Sequence, residues 1–346
     1  MDCTLDDPGL ENGDVQDPLP ESPITFASMG LPANSALQDT AIGKFRQLSD
    51  TTFTERVFFV IMLLSILSAF GVSIYRVATV SRGNPDFTFG LVILLQAGFC
   101  FIYIVDGILR ERPSEIFILC LATMIIVFYL VMNYIEGTQN TPKLARMIVA
   151  CCLAPFLVSL GLYIAWDYHV SKKIIFRTVG ADATWQGMLT RLLAFQDVLK
   201  FDLQLGGSMV ILILVSGLSV TVRDVVVLAV GGPVTIAWFL LGLYAMPAES
   251  KPWALVFALL SPCEPAYIAY RFYRLDTYID EKPGLASAVI ICGVAALVVR
   301  VIVIVLFTVV YRAFGKGLKE QGIQRLSRKR SKGLRRNSKT FEEVLE

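Results

Sequence analysis

Residues 183–222, ATWQGMLTRLLAFQDVLKFDLQLGGSMVILILVSGLSVTV, change character half way along. From Ala183 the apolar residues Trp185, Met188, Leu192, Phe195 and Leu199 recur at helical spacing, and Gln186, Thr190, Asp197, Lys200 and Gln204 fall on the other side. That pattern predicts an amphipathic helix. Nothing breaks it before Leu205, where the sequence turns apolar all round. One continuous helix, lying along a membrane surface or projecting from it, therefore feeds a membrane span. A basic patch (Lys172, Lys173, Arg177) and a Gly180-Ala181-Asp182 break precede it.

The rest of the chain has the same bias. Of 346 residues, 55% are hydrophobic and 17% charged, with a mean hydropathy of +0.62. Soluble chains carry roughly 25% charged residues. The net charge of +2 hides a split between the ends. Residues 1–56 hold ten acids and three bases, whereas residues 312–346 hold eleven bases and four acids. Both ends read as solvated tails. Residues 1–50, with Pro18, Pro20, Pro23 and Pro32 among acidic and small residues, read as a disordered tail, and residues 313–346 as a basic one. The acidic start lacks an apolar core, so no cleavable signal peptide is expected and the first span directs insertion.

Eight spans fit residues 51–312, giving an all-α polytopic transmembrane bundle. They are Val57–Tyr75, Phe87–Leu109, Ile116–Ile135, Met147–Trp166, Leu205–Val222, Val225–Met246, Trp253–Tyr270 and Leu285–Tyr311. Each is about 20 residues, enough to cross a ~30 Å hydrocarbon core. Residues 167–204 form the amphipathic cytoplasmic helix region between the fourth and fifth. An even count puts both termini on one side. Loop bases tie at eight against eight, and the basic C-terminal tail breaks the tie toward the cytoplasm. The expected location is the plasma membrane or an endomembrane.

Glu264 is the sharpest site candidate. It sits in the seventh span between Pro262 and Pro265, each of which removes a helix hydrogen bond. Counted from the assumed cytoplasmic ends, Glu264 is about 12 and Arg300 about 11 residues deep, or ~18 and ~17 Å at 1.5 Å per residue. The two are thus placed to meet, as a buried ion pair locking two helices or as a substrate or ion site. Asp106, four residues before Arg110, reads as a surface pair. Lys200 and Asp202 read as interfacial anchors. Gly231-Gly232-Pro233 in the sixth span is expected to unwind, as in transporters, or to kink so that helices pack closely.

Enzyme chemistry finds little support. His169 is the single histidine, and none of the seven cysteines has metal-type spacing. No nucleophile elbow or phosphate loop occurs. No cofactor, metal or nucleic-acid partner is expected. Expected partners are the lipid bilayer, anionic lipid headgroups reached by the basic tail, and cytoplasmic proteins. Ser327, Ser331 and Ser338 follow paired bases and suit basic-directed kinases, whose phosphates would weaken that lipid attraction.

The segments Val179-Gly180-Ala181-Asp182, Leu193-Ala194-Phe195-Gln196 and Leu199-Lys200-Phe201-Asp202 resemble a stretch found in uncharacterised eukaryotic multi-pass membrane proteins, fungal and protist ones among them. The resemblance implies a membrane helical bundle with a polar helix before a central span, and no activity. Two function classes follow. The first is a non-enzymatic membrane scaffold or receptor-like protein signalling through its tails. The second is a solute or ion transporter or channel using the Pro-interrupted sixth and seventh spans. A water-filled polar cavity at Glu264 would favour transport, and a dry, packed one the scaffold.

Overall fold

The computed structural model describes residues 38–40, 43–45, 51–80, 85–136, 141–171, 175, 183–215, 222–275 and 283–315. The chain divides into two units, residues 1–50 and 51–346. In the first, strands β1 (Gln38–Thr40) and β2 (Gly43–Phe45) pair antiparallel, Gln38 opposite Phe45 and Thr40 opposite Gly43. The rest of the expected N-terminal tail, and the basic tail beyond Gly315, lie outside the described residues.

The second unit is helical among the described residues. Its helices are α1 (Phe53–Thr79), α2 (Pro85–Leu109), α3 (Pro113–Glu136), α4 (Thr141–Ser171), α5 (Ala183–Val215), α6 (Val222–Ala245), α7 (Lys251–Leu260), α8 (Cys263–Leu275) and α9 (Pro283–Tyr311). Local chemistry sets several starts. Thr52 caps α1, accepting from the Glu55 N–H while the Glu55 carboxylate accepts from the Thr52 N–H at 2.8 Å. Proline opens α2, α3 and α9, where its missing N–H costs nothing and its φ is already helical.

The end of α2 is tightly specified. Glu111 takes φ 46°, the Arg112 N–H donates to the Gly107 carbonyl at 3.0 Å and the Glu111 N–H to the Ile108 carbonyl at 3.5 Å. This is a Schellman closure with glutamate in the left-handed position usually held by glycine. It reverses the chain in a few residues and aims Arg112 back at the bundle.

Six helical segments among the described residues are long and apolar enough to cross a bilayer: Phe53–Thr79, Asp86–Leu109, Pro113–Met132, Lys143–Ser171, Lys251–Tyr270 and Ser287–Tyr311. They take in six of the eight expected spans. Of the other two, the fifth runs past Val215 beyond the described residues, and the apolar described part of the sixth is Ala229–Ala245.

Helix α5 is the axis of the unit. It packs most extensively on α9 and also meets α2, α3 and α6. Its apolar stripe, Met188, Leu192, Phe195 and Leu199, is buried. Its polar stripe is buried too, with Asp197, Gln204 and Ser208 all at 0% exposure. The expectation of one wet face is therefore not met. Helical periodicity separates two faces, but it cannot tell water from a neighbouring helix that brings its own polar groups.

Candidate functional site

Two polar clusters form along α5. One centres on Arg300 of α9, which is 3% exposed. Its guanidinium donates to the Glu264 carboxylate, and the same nitrogen lies 2.7 Å from Asp202 Oδ2 of α5. The guanidinium carbon stands 3.9 Å from the centroid of the Trp238 ring of α6. Trp238 in turn stacks on Phe257 of α7, centroids 4.4 Å apart, and donates its indole N–H to the Phe257 carbonyl at 3.0 Å. One cation thus ties α5, α6, α8 and α9 together, with a ring contact of a kind that contributes about 2 kcal/mol or more where water is excluded.

Local backbone makes the arrangement possible. The helical run breaks at Ser261-Pro262 between α7 and α8, and Glu264 is the second residue of α8. Pro265 sits in that first turn, where a missing N–H is tolerated. Gly206 lets α5 approach: a Cβ there would lie 2.8 Å from Glu264 Oε1. The charges do not balance, since two carboxylates share one guanidinium. Neither Asp202 oxygen makes an aligned hydrogen bond, although the residue is 1% exposed.

The second cluster lies at the α2–α3 turn. Arg112 Nη1 is 2.9 Å from Asp197 Oδ1 and 3.6 Å from Glu115 Oε1. Ser114 Oγ donates to Asp197, and Lys200 Nζ donates to Glu115 and approaches Asp106 Oδ2 at 3.4 Å. Arg110 completes it, 3.7 Å from Asp106. Three acids here face three bases. Past Asp202 along α5, Gln204 donates to Gln96 of α2, and Gln96 donates to Ser208 at 2.8 Å.

Placement of the sequence candidates follows directly. Glu264 and Arg300 are in contact. Asp106 has its i+4 partner Arg110 and also Lys200. Lys200 and Asp202 are ion-pair members inside the packed unit, because acids of α2 and α3 reach Lys200 and Arg300 of α9 reaches Asp202. Helix α6 runs unbroken through Gly231, Gly232 and Pro233, and a Cβ on either glycine would meet nothing within 4 Å, so neither a break nor close packing occurs there. Ser327, Ser331 and Ser338 lie outside the described residues.

Reading the sequence alone missed Asp202 as a partner of Arg300, and missed Glu115, Asp197, Gln96 and Trp238. One signal was available. Asp197, Lys200, Gln204 and Ser208 recur every three or four residues and continue past Leu205 into the apolar run. A polar stripe that persists there points to buried partners rather than to water.

No curated protein and no solved structure matches the chain. One family does, described as a domain of unknown function (DUF7789), over residues 42–166 and 179–309. Those two stretches cover most of the chain and nearly all of its helices, and on that basis the chain belongs to the DUF7789 family.

Proposed function

We propose that this is an integral, multi-pass membrane protein without enzymatic activity, acting as a scaffold or receptor-like protein whose tails meet cytoplasmic partners. The observation that carries this reading is the state of Arg300. Its charge is enclosed by Asp202, Glu264 and Trp238, and the residue is 3% exposed. Charged groups at span depth are expensive in lipid and persist where they pair or serve transport. The enclosure favours pairing. The basic tail favours cytoplasmic termini and attraction to anionic headgroups. An impermeant maleimide applied to intact cells should leave a cysteine at Ser331 unlabelled, in a background without the native cysteines, and labelling would reverse the topology.

One observation favours a transporter as the second reading: the unequal count of two carboxylates to one guanidinium leaves a buried negative charge, as a cation or proton site would. The thermal stability of purified Glu264→Gln, Arg300→Gln and the double variant separates the two. A structural pair predicts that each single change destabilises and that the double change recovers much of the loss. A folded Glu264→Gln protein of unchanged stability, with no recovery in the double variant, would favour the transport reading instead.

A further inference from the structure

Helices α1, α3 and α4 converge at one level and splay from there. At Gly161 of α4 a Cβ would lie 2.6 Å from Cys120 Sγ and 3.2 Å from Phe58 Cζ. Beyond this pinch a cleft of about 1080 Å³ opens between α1, α2, α3 and α4. It runs along α1 from Ile61 to Thr79, roughly 27 Å at 1.5 Å per residue. Its volume is at the top of the ~300–1,000 Å³ range of ligand pockets.

The walls are apolar for most of that length. Leu64, Val72 and Val149 line it and are 61%, 39% and 62% exposed, so the cleft opens sideways past its own apolar rim. The far end is different. Arg76, Asp86 and Arg146 line it, and Lys143 sits behind them. Lys143 Nζ engages Asp86 Oδ1 at 2.8 Å and Arg76 Nη1 approaches Asp86 Oδ2 at 3.5 Å. Among the described residues, three bases therefore gather around one acid whose two oxygens are already engaged. The Nε of Arg146 is buried with no hydrogen-bond partner. The N-termini of α2 and α4 lie at this end together with the C-termini of α1 and α3, so the helix dipoles oppose one another and the positive character comes from the side chains.

We propose that the cleft is a binding site for one anionic phospholipid, its acyl chains along α1 and α4 and its phosphate on Arg76 and Arg146. Only an amphiphile matches both parts: a lateral apolar opening admits chains from a bilayer, and the excess positive charge selects an anionic head. Guanidinium suits phosphate through paired, charge-assisted hydrogen bonds. The site rests on the bundle lying in a bilayer, and it shares no residue with the Arg300 cluster.

The test uses the full chain purified in a neutral detergent, with retained lipid read by native mass spectrometry and stability by thermal melting. The probes are phosphatidylglycerol, phosphatidylcholine and glycerol phosphate. Phosphatidylglycerol should be retained ~tenfold or more over phosphatidylcholine, about the effect of one or two charge-assisted hydrogen bonds, and should raise Tm. Arg146→Gln, which removes a side chain whose Nε is unbonded, should bring phosphatidylglycerol down to the phosphatidylcholine level. Ala150→Trp, which fills the apolar part and leaves every charge in place, should displace the lipid as well. Equal retention of the two lipids, or selectivity unchanged in both variants, would overturn the site and assign lipid binding to the tail. Glycerol phosphate alone raising Tm as much would show an anion site without chains and overturn it too. Absence of selectivity in the unaltered protein, while that protein resists carbonate extraction from membranes, would sink the cleft and leave the membrane reading standing.

Discussion

The two charged clusters on α5 are built on opposite plans. At the α2–α3 turn, three acids and three bases interlock, and most members touch more than one partner: Lys200 is within 4 Å of Asp106, Glu115 and Asp197. At Arg300 a single guanidinium holds two carboxylates from two helices. The first is redundant and neutral. The second has one point of failure and a surplus acid. The difference teaches that buried ion pairs are not equivalent units of stability. What matters is how many unmatched charges remain when one member goes.

Arg300→Met tests this most severely. It leaves Asp202 and Glu264 buried without a cation, and breaking such pairs costs ~3–5 kcal/mol in soluble proteins. The expected outcome is a large fall in the melting temperature of the purified protein, or no folded protein at all. Adding Asp202→Asn and Glu264→Gln to Arg300→Met should restore much of the loss. A triple variant no better than Arg300→Met would show that the cost comes from packing against Trp238 rather than from the orphaned acids.

Lys200→Met should cost less, about 1–3 kcal/mol, because Arg112 remains 3.6 Å from Glu115 and Arg110 remains 3.7 Å from Asp106. Melting of the two purified variants side by side provides the check. A Lys200→Met loss equal to that of Arg300→Met would break the contrast between a redundant network and a single-cation one.

The helical class and the outline of six apolar segments were legible because length and hydropathy report directly on single elements. The partners of charged residues were legible where helix spacing pairs them, as for Asp106 and Arg110, or where two spans could be counted from their ends, as for Glu264 and Arg300. Asp202 was not, since it precedes the apolar run and looks like a residue at the water boundary. Asp106, Glu115 and Asp197 converge only because the α2–α3 turn folds Arg112 back; the ends of the two spans place that turn, but not the left-handed glutamate that aims Arg112. Gly231-Gly232-Pro233 carried a strong local signal of a break, yet α6 stays helical with a proline inside it. The cleft had no signal at all: α1 and α4 both read as apolar helices, and their splay depends on where Gly161 lets them touch.

On the membrane reading proposed above, the polar stripe of α5 also constrains how the protein is made. Chains emerge N-terminus first, and a lone Asp or Lys at a helix centre adds ~2.5–3.5 kcal/mol to the cost of insertion. Asp197 and Lys200 can be neutralised as soon as they meet α2 and α3, which are already synthesised. Asp202 cannot, because its cation is on α9, the last of the described helices. Helix α5 must therefore wait, sheltered by the insertion machinery or by a chaperone, until the end of the bundle arrives. A nascent chain cut before Arg300 would carry an exposed acid on an apolar helix, the kind of defect that membrane quality control is built to find.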